Sequence, residues 1–504
     1  MVKAILLLAV ATGLNCPVWA DEPVRDARMF RTEEGGELRE VVPTFWTRHW
    51  VKGGNVIDLD AASRDHDFLG LGVSIPESSA YLLSRVQPEK RREILEMIWT
   101  KKGVNLSAVR VQCGSSDYAM HIYSYDETPG DEAMKDFSIE EDRKYILPIL
   151  KDVQKLQPDV YFFSAPESPP AWMKDNNSPA GGRMLPKWYD AYANYVVRFL
   201  QEYAREGIRI RAFTVQNEPE SDQDFVSPTC LWTGEEERDV IVNHIVPKLK
   251  EANLDAKPWL FDHNFDSTAR VEKCLSDSAL RNEIGAVAWH SYCGRPEMIR
   301  PLHEKYPDLM MMHTEMSAHL DKKVRPLIGW GELVLGTLNC GCSGFSAWIM
   351  LLDECGQPNI SGGFPCAGLV TLDSRTGDVI PSDQFRMFRH IGPYVERGAA
   401  ILEAPFRRGP TSWAKRNANR SFYSAFRNPD GSYVVVIGCR ADRDGFSDPV
   451  QIQIKLCERY LTFQLVANSL ITVLIDAPPR PRGPEMKDRV KNEAKQNQKK
   501  GCHS

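Results

Sequence analysis

Phe213-Thr214-Val215-Gln216-Asn217-Glu218-Pro219-Glu220 is a short apolar run that ends in an Asn-Glu-Pro turn. Phe213 and Val215 suit a buried strand, and Pro219, which has no N–H to give a ladder, stops that strand just past Glu218. The stretch therefore predicts a carboxylate at the C-terminal mouth of a strand, beside an Asn217 amide that can hydrogen-bond a ligand hydroxyl. A Glu in the loop after a strand is common. Its meaning depends on what flanks the strand and on whether a second carboxylate faces it.

On both sides of this stretch the chain alternates strand and helix signals. Apolar runs at 68–73, 106–111 and 160–163 precede it, and runs at 259–261, 286–289, 309–312 and 344–348 follow. The segments between them read as helices. Residues 88–102 begin with Pro in the first turn and stop at Gly103, and 188–205 close near Gly207. Ser138-Ile139-Glu140-Glu141 and Thr233-Gly234-Glu235-Glu236 read as capping boxes, the first opening a helix to about Leu156. A further helix ends near Gly341. Eight strand-then-helix units predict a (β/α)8 TIM barrel over residues 67–397. An open doubly wound sheet would need a Gly-rich phosphate turn after an early strand, and none is present.

Outside that span the texture is all-β. Runs at 422–426, 433–437, 452–454, 463–466 and 471–475 read as strands, with Asn428-Pro429-Asp430-Gly431 as a hairpin turn. They predict a β-sandwich-like domain at 398–477, completed by strands near 44–51 and 55–59 from an N-terminal segment, 21–66. From 478 onward the chain is a basic, polar tail without apolar periodicity, read as disordered and solvated. Residues 1–20 combine Lys3, an apolar run from Ala4 to Leu14 and Val18-Trp19-Ala20, a secretory signal peptide with cleavage after Ala20. Secretion follows as an expectation. No apolar run is long enough for a transmembrane helix, so contact with a membrane would be peripheral.

The 504 residues carry 62 basic and 68 acidic side chains, a net charge of −6, which argues against nucleic acid as a partner. The 12 Trp and 16 Tyr supply flat apolar faces of the kind sugar clefts use. Of the 12 cysteines, Cys16 lies in the leader, and the odd remainder leaves a free thiol, most simply Cys502 in the tail. In an exported protein the others read as disulfides or buried thiols, because Cys340, Cys342, Cys355 and Cys366 lack the paired Cys-x-x-Cys spacing of a zinc site. Their pairing and the oligomeric state are left open.

A TIM barrel places its active site at the C-terminal ends of its strands. Those ends carry Asp117 after strand two, Trp172 after strand three, and Asn217 and Glu218 after strand four. Strand six leads to His290 and Tyr292, strand seven to Glu315, and strand eight to Trp348. Strands four and seven lie across the mouth from each other, so Glu218 and Glu315 are a candidate carboxylate pair for glycoside hydrolysis. Asp353 and Glu354 lie farther into the last loop and read as surface charges. Each single residue also has an ordinary reading: Asp117 as a turn cap, the tryptophans as core, His290 as a buried histidine bonded to backbone.

Longer motifs sharpen this. Ser116-Asp117-Tyr118, Tyr123-Ser124-Tyr125-Asp126-Glu127-Thr128-Pro129 and Ser164-Ala165-Pro166-Glu167-Ser168-Pro169-Pro170-Ala171-Trp172-Met173-Lys174, followed by Asn217-Glu218-Pro219, resemble glycoside hydrolase family 30, in particular its glucosylceramidase-like branch. The resemblance runs from about Phe68 to Leu474. It implies Glu218 as general acid/base, Glu315 as nucleophile, retention of configuration, and sugar contacts from Asp117, Trp172, Asn217, His290, Tyr292 and Trp348. Those roles call for a Glu218 carboxyl held protonated and a Glu315 carboxylate held ionised. No cofactor or metal is implied, since two carboxylates and water suffice.

The departures lie around the pair. The first strand reads Gly70-Leu71-Gly72-Val73-Ser74-Ile75-Pro76-Glu77 where a Gly-Phe-Gly-Gly-like run is usual. Ser291 replaces an aromatic, and Ile349 follows Trp348 where Asn is common. The expected activity is a secreted retaining β-glycosidase acting on a β-glucoside, glucosylceramide-type glycolipids included. The alternatives are the same mechanism on a β-1,6-glucan, xyloside or fucoside, and a non-catalytic carbohydrate-binding relative.

Overall fold

Eight parallel strands close into a barrel in chain order: Gly70–Ser74, Ala108–Gln112, Tyr161–Ala165, Ile210–Thr214, Lys257–Asn264, Ala286–His290, Met310–Glu315 and Cys342–Ala347. The structure is a computed structural model that describes residues 27–41, 46–51, 54–222, 226–360, 362, 364–410, 412–442 and 448–476. The leader expected at 1–20 and the tail from 478 lie outside the described residues, as do Cys16 and Cys502.

Strand alternation sorts the barrel into two cores. In strand two, Val109 and Val111 face outward and join the apolar layer packed between barrel and helices. Ala108 faces inward and meets Phe163, Ala212, Trp259 and Met312, an apolar plug inside the barrel. The same alternation turns Arg110 and Gln112 inward above that plug, and both are buried. A charged residue thus stands in the middle of a fully buried strand.

The β-domain is two sheets around a separate core that includes Ile57, Val435, Ile452, Phe463 and Val473. One sheet has seven antiparallel strands, among them Ala27–Glu33 and Ser63–Asp67 from before the barrel and Ser469–Ile475 from after it. The other has five, with Asn55–Asp58 pairing in parallel with Val450–Leu456. The Asn428–Gly431 turn forms as expected, with Arg427 opposite Tyr433 and Gly431 at φ 91°.

Several local expectations are corrected. Strand four ends at Thr214, not beyond Glu218, and Glu218 instead takes a left-handed φ of 46°. The strand expected at 44–51 is reduced to Trp46–Thr47 among the described residues. The capping box at 233–236 is present, with both reciprocal bonds made. The one at 138–141 is not, since Ile139 is the cap and the helix breaks at Tyr145 into Glu140–Lys144 and Ile146–Leu156. Tyr145 leaves the helical path where its ring packs edge-on against Tyr81 at 5.4 Å. A helix at Glu77–Arg85, begun after Pro76, was not anticipated.

The ten cysteines at described positions are free thiols, so disulfides do not form among them. Cys113, Cys230 and Cys342 are buried and act as small apolar fillers. Burial pushes the Cys113 and Cys342 thiols well above their ordinary range.

Candidate active site

The mouth of the barrel is organised around Arg110. Its guanidinium, fully buried, donates through Nη1 to Glu315 Oε2 and through Nη2 to Asn217 Oδ1 at 2.7 Å and Asp262 Oδ2 at 3.0 Å. The Trp348 ring lies against it, 5.2 Å from centroid to guanidinium carbon. Strands two, four, five, seven and eight are thereby tied together inside the barrel.

Asp262 is the anionic counterpart. Its carboxylate also accepts from Thr214 Oγ1 at 2.9 Å, Thr314 Oγ1 at 2.5 Å and His290 Nε2 at 3.1 Å. Burial alone would raise its pKa, but Arg110 and His290 hold it well below the usual carboxylate range. The backbone that delivers it is irregular. The register with strand six slips between Phe261 and His263, and Phe261 and Asp262 have φ of 80° and 86°. Positive φ at such residues is costly and is retained where the surroundings enforce it. Here the bulge lets Asp262 face the interior while its carbonyl accepts the Glu218 N–H at 3.1 Å.

Glu218 and Glu315 are both buried, and both approach Nδ1 of His290. His290 Nδ1 is 2.9 Å from Glu218 Oε1 and 3.8 Å from Glu315 Oε1. The Tyr292 hydroxyl donates to Glu315 Oε1 at 3.0 Å, so each Glu315 oxygen has a donor. His263 Nε2 lies 3.6 Å from Glu218 Oε1. Burial would lower the His290 pKa, but the charges of Glu315 and Asp262 and its bonds to Asp262 and Glu218 raise it to about 10. His290 is therefore an imidazolium that donates from both nitrogens. With both nitrogens so used, Glu218, His290 and Glu315 make a poor metal site.

The proton balance of the pair differs from the one expected of it. Burial raises Glu218, yet the hydrogen bond and charge of His290 outweigh burial and bring that carboxyl below its ordinary value. Burial pushes Glu315 up, against the pull of His290 and Arg110. The difference is one of where a proton sits. His290 Nδ1 donates to Glu218 Oε1 across 2.9 Å, which favours the ionised form of that carboxyl. A proton thus stands beside Glu218, on the histidine side of that contact.

A cavity of about 300 Å3 opens above these groups, walled by Asp117, Glu167, Asn217, Glu218, Tyr292, Glu315 and Trp348 among others. Burial, then the negative charges of Glu315 and Glu218, push half-buried Asp117 up to about 8, which keeps a neutral donor on the wall near neutral pH. Asn217 Nδ2 donates to Glu167 Oε2, and burial pushes Glu167 well above its usual range. A larger cavity, about 710 Å3, lies behind the Pro219 turn beside Trp232 and Arg270. It shares no residue with the 300 Å3 cavity and holds neither Glu218 nor Glu315.

Of the sequence-predicted residues, Asp117, Asn217, Glu218, Tyr292, Glu315 and Trp348 face one cavity, and His290 stands directly behind it. Trp172 does not reach the wall. Its indole N–H donates to the Asp126 carbonyl at 3.0 Å and its ring packs edge-on against Trp188, which ties two mouth loops together. The departures also find places away from the cavity. Ile349 is buried with Tyr118 and Leu352, Glu77 accepts the Met120 N–H at 2.9 Å, and Ser291 holds His313 Nε2 at 2.8 Å.

Arg110, Glu167, Asp262 and His263 were missed. Arg110 was legible as a charge inside an apolar strand. Glu167 stood within the Ser164–Lys174 motif without being singled out. Asp262 and His263 were lost by ending strand five at Phe261, whereas the strand runs through Asn264.

A closed parallel barrel with two facing carboxylates at the ends of strands four and seven defines a glycosidase-type TIM-barrel hydrolase. The model of the glycosyl hydrolase family 30 TIM-barrel domain matches residues 68–392, and the chain belongs to that family. It is thus a glycosidase. It is 29% identical to an endo-1,6-β-D-glucanase of Neurospora crassa over 76% of this chain and 80% of that one. It is 27% identical to the lysosomal acid glucosylceramidase of Mus musculus over 79% and 80%. The solved structure of an endo-β1,6-glucanase superposes with a TM-score of 0.79 at 26% identity, covering 90% of this chain and 100% of the other. SrfJ from Salmonella typhimurium, at 22% identity, shares the fold with a TM-score of 0.80 over 90% and 100%.

Replacing Arg110 with Leu leaves the buried Glu315 and Asp262 charges with His290 as their one remaining cation among the described residues, at a cost of about 3–5 kcal/mol. The depressed Asp262 pKa contributes stability above its unfolded value, lost as pH falls through the folded one. The gap between wild type and Arg110→Leu in chemical denaturation should therefore be widest near neutral pH and narrow on acidification. An equal gap at all pH values would contradict the charge assignment.

Proposed function

We propose that the chain hydrolyses β-linked glucosides with retention of configuration, Glu315 acting as nucleophile and Glu218 as acid/base. The observation that carries this reading is the spacing of the pair: a carboxylate oxygen of each, with a His290 nitrogen, lies within 4.8 Å of the others. Retaining enzymes hold their carboxyl groups about 5–5.5 Å apart, whereas inverting ones leave about 6.5–9.5 Å for a water.

In the first step Glu315 attacks the anomeric carbon, the glycosidic C–O bond breaks, and the leaving oxygen takes a proton from Glu218, which His290 Nδ1 supplies across their contact. In the second, water attacks the same carbon while Glu218 accepts its proton and Glu315 departs. The Arg110 and Tyr292 donors that hold Glu315 orient it for attack and receive its charge again on release. The intact pair and its donors favour turnover over a binding-only role.

A glucosyl unit is the substrate common to the names of both sets of relatives, the endo-1,6-β-D-glucanase and the glucosylceramidase. That supports a β-glucosyl group in the 300 Å3 cavity, with a β-1,6-glucan or a glycolipid as the source. Export rests on the leader expected at 1–20. No helix among the described residues is long and apolar enough to cross a membrane.

Chromogenic β-glucoside, β-xyloside and β-fucoside, followed by a β-1,6-glucan and glucosylceramide in vesicles, separate the substrates, and hydrolysis of none would contradict the reading. Glu315→Gln should abolish turnover. Glu218→Gln should lose far more on poor leaving groups than on good ones, and NMR should show the β-anomer released first. Equal losses on both leaving groups, or initial release of the α-anomer, would overturn the assigned roles.

The active form of the His290–Glu218 unit carries a proton, so activity falls as pH rises through the pKa of that unit. His290→Gln removes the raised group and should move the alkaline limb of kcat/KM to lower pH by at least ~1 unit. An unmoved limb would place the acid elsewhere.

A further inference from the structure

Asp65, His66 and His303 form a second cluster of ligating side chains, where the edge strand Ser63–Asp67 of the β-domain meets the barrel helix Arg300–Lys305. Neighbouring residues on a strand normally face opposite sides. In this strand His66 pairs with Ile401 and Arg64 with Leu402, so Asp65 is the extra residue of a β-bulge. The bulge turns Asp65 and His66 to one side. There Asp65 Oδ1 is 2.9 Å from His303 Nε2 and Oδ2 is 3.1 Å from His66 Nδ1. One ligating atom of each residue lies within 4.8 Å of the others.

The hydrogen bonding of His66 leaves a gap in this cluster. Its Nε2 is 3.0 Å from the Cys342 carbonyl oxygen. A carbonyl only accepts, so Nε2 is the donor in that contact, which leaves Nδ1 as the nitrogen that faces Asp65. That side chain is only 9% exposed, and Nδ1 has no aligned hydrogen-bond partner. Nδ1 thus faces the Asp65 carboxylate oxygen without an aligned bond, and a cation between them would take both as ligands.

We propose that Asp65, His66 Nδ1 and His303 Nε2 bind a divalent cation of the Zn2+ class, which pins the edge of the β-domain to the barrel. Two imidazoles and one carboxylate are a borderline donor set that suits Zn2+ better than Mg2+ or Ca2+. The carbonyl on the far nitrogen of His66 is the outer contact that fixes a metal-bound histidine in the right tautomer. Asp65 is 27% exposed, which gives an entry path and room for a water as fourth ligand. Cys342 opens strand eight, so the site is at the end of the barrel opposite the mouth.

The test titrates Zn2+ alone into chelator-treated full-length protein against a chromophoric competitor, with thermal denaturation in parallel. One equivalent should bind and raise Tm. Both effects should vanish in Asp65→Asn and His66→Ala and persist in Glu218→Gln, which disrupts the buried Glu218–His290–Glu315 cluster. X-ray absorption of the wild-type zinc form should show nitrogen and oxygen donors with imidazole scattering, a readout that does not depend on any variant folding. Failure of wild type to bind, undiminished uptake in both variants, or sulfur donors in the spectrum would overturn the proposal.

Discussion

A single buried guanidinium sets the terms for this active site. Arg110 has no exposed surface, and burying a charge costs several kcal/mol unless it is paired and hydrogen-bonded. Its partners come from strands far apart in sequence: Asn217 after strand four, Asp262 on strand five and Glu315 on strand seven. The barrel must therefore close in this register for the cation to be tolerated, and the closed barrel then holds Glu315 in one orientation. Trp348 covers the same group from strand eight. Fold and site share one constraint.

The other half of the site depends on backbone departures from regular strand. A continuous strand five would alternate past Asp262. The slip between Phe261 and His263 instead presents its carboxylate to Arg110, His290, Thr214 and Thr314 together. Its carbonyl anchors the Glu218 N–H, and Glu218 adopts φ 46° just before Pro219. The residue before a proline favours extended backbone, so the left-handed turn at Glu218 is held by its surroundings and not by local preference. Left-handed geometry costs about 1–2 kcal/mol for such a residue, and it is offset by fixing the carboxyl against His290 before a substrate arrives.

The barrel and its two carboxylates were legible because apolar runs, helix stops and strand ends are local signals. Glu218 and Glu315 each close a run that any reading of period and punctuation finds. What was not legible depended on pairing across the barrel. Asp262 was hidden because the apolar run stops one residue earlier, although the ladder continues to Asn264. Trp172 lies in the loop after strand three, seven residues past its end, and turns away to bond the Asp126 carbonyl, a partner 46 residues away in sequence. The proton balance of Glu218 and Glu315 was reversed because the charge on His290 comes from Asp262 and Glu315, which only the fold brings together. The bulge at Asp65 likewise leaves no local trace, since it exists only in the register with Leu402.

The central claim is that Arg110 and Tyr292 hold Glu315 as the group that attacks the anomeric carbon. It is tested most directly by incubating the protein with a 2-deoxy-2-fluoro-β-glucoside bearing an activated leaving group, then mapping the adduct by mass spectrometry of peptides. The account predicts one covalently bound fluoroglucosyl unit, on the peptide that contains Glu315 and on that side chain. An adduct on Glu218, Glu167 or Asp117 instead would contradict it, as would turnover of the parent glucoside with no adduct formed.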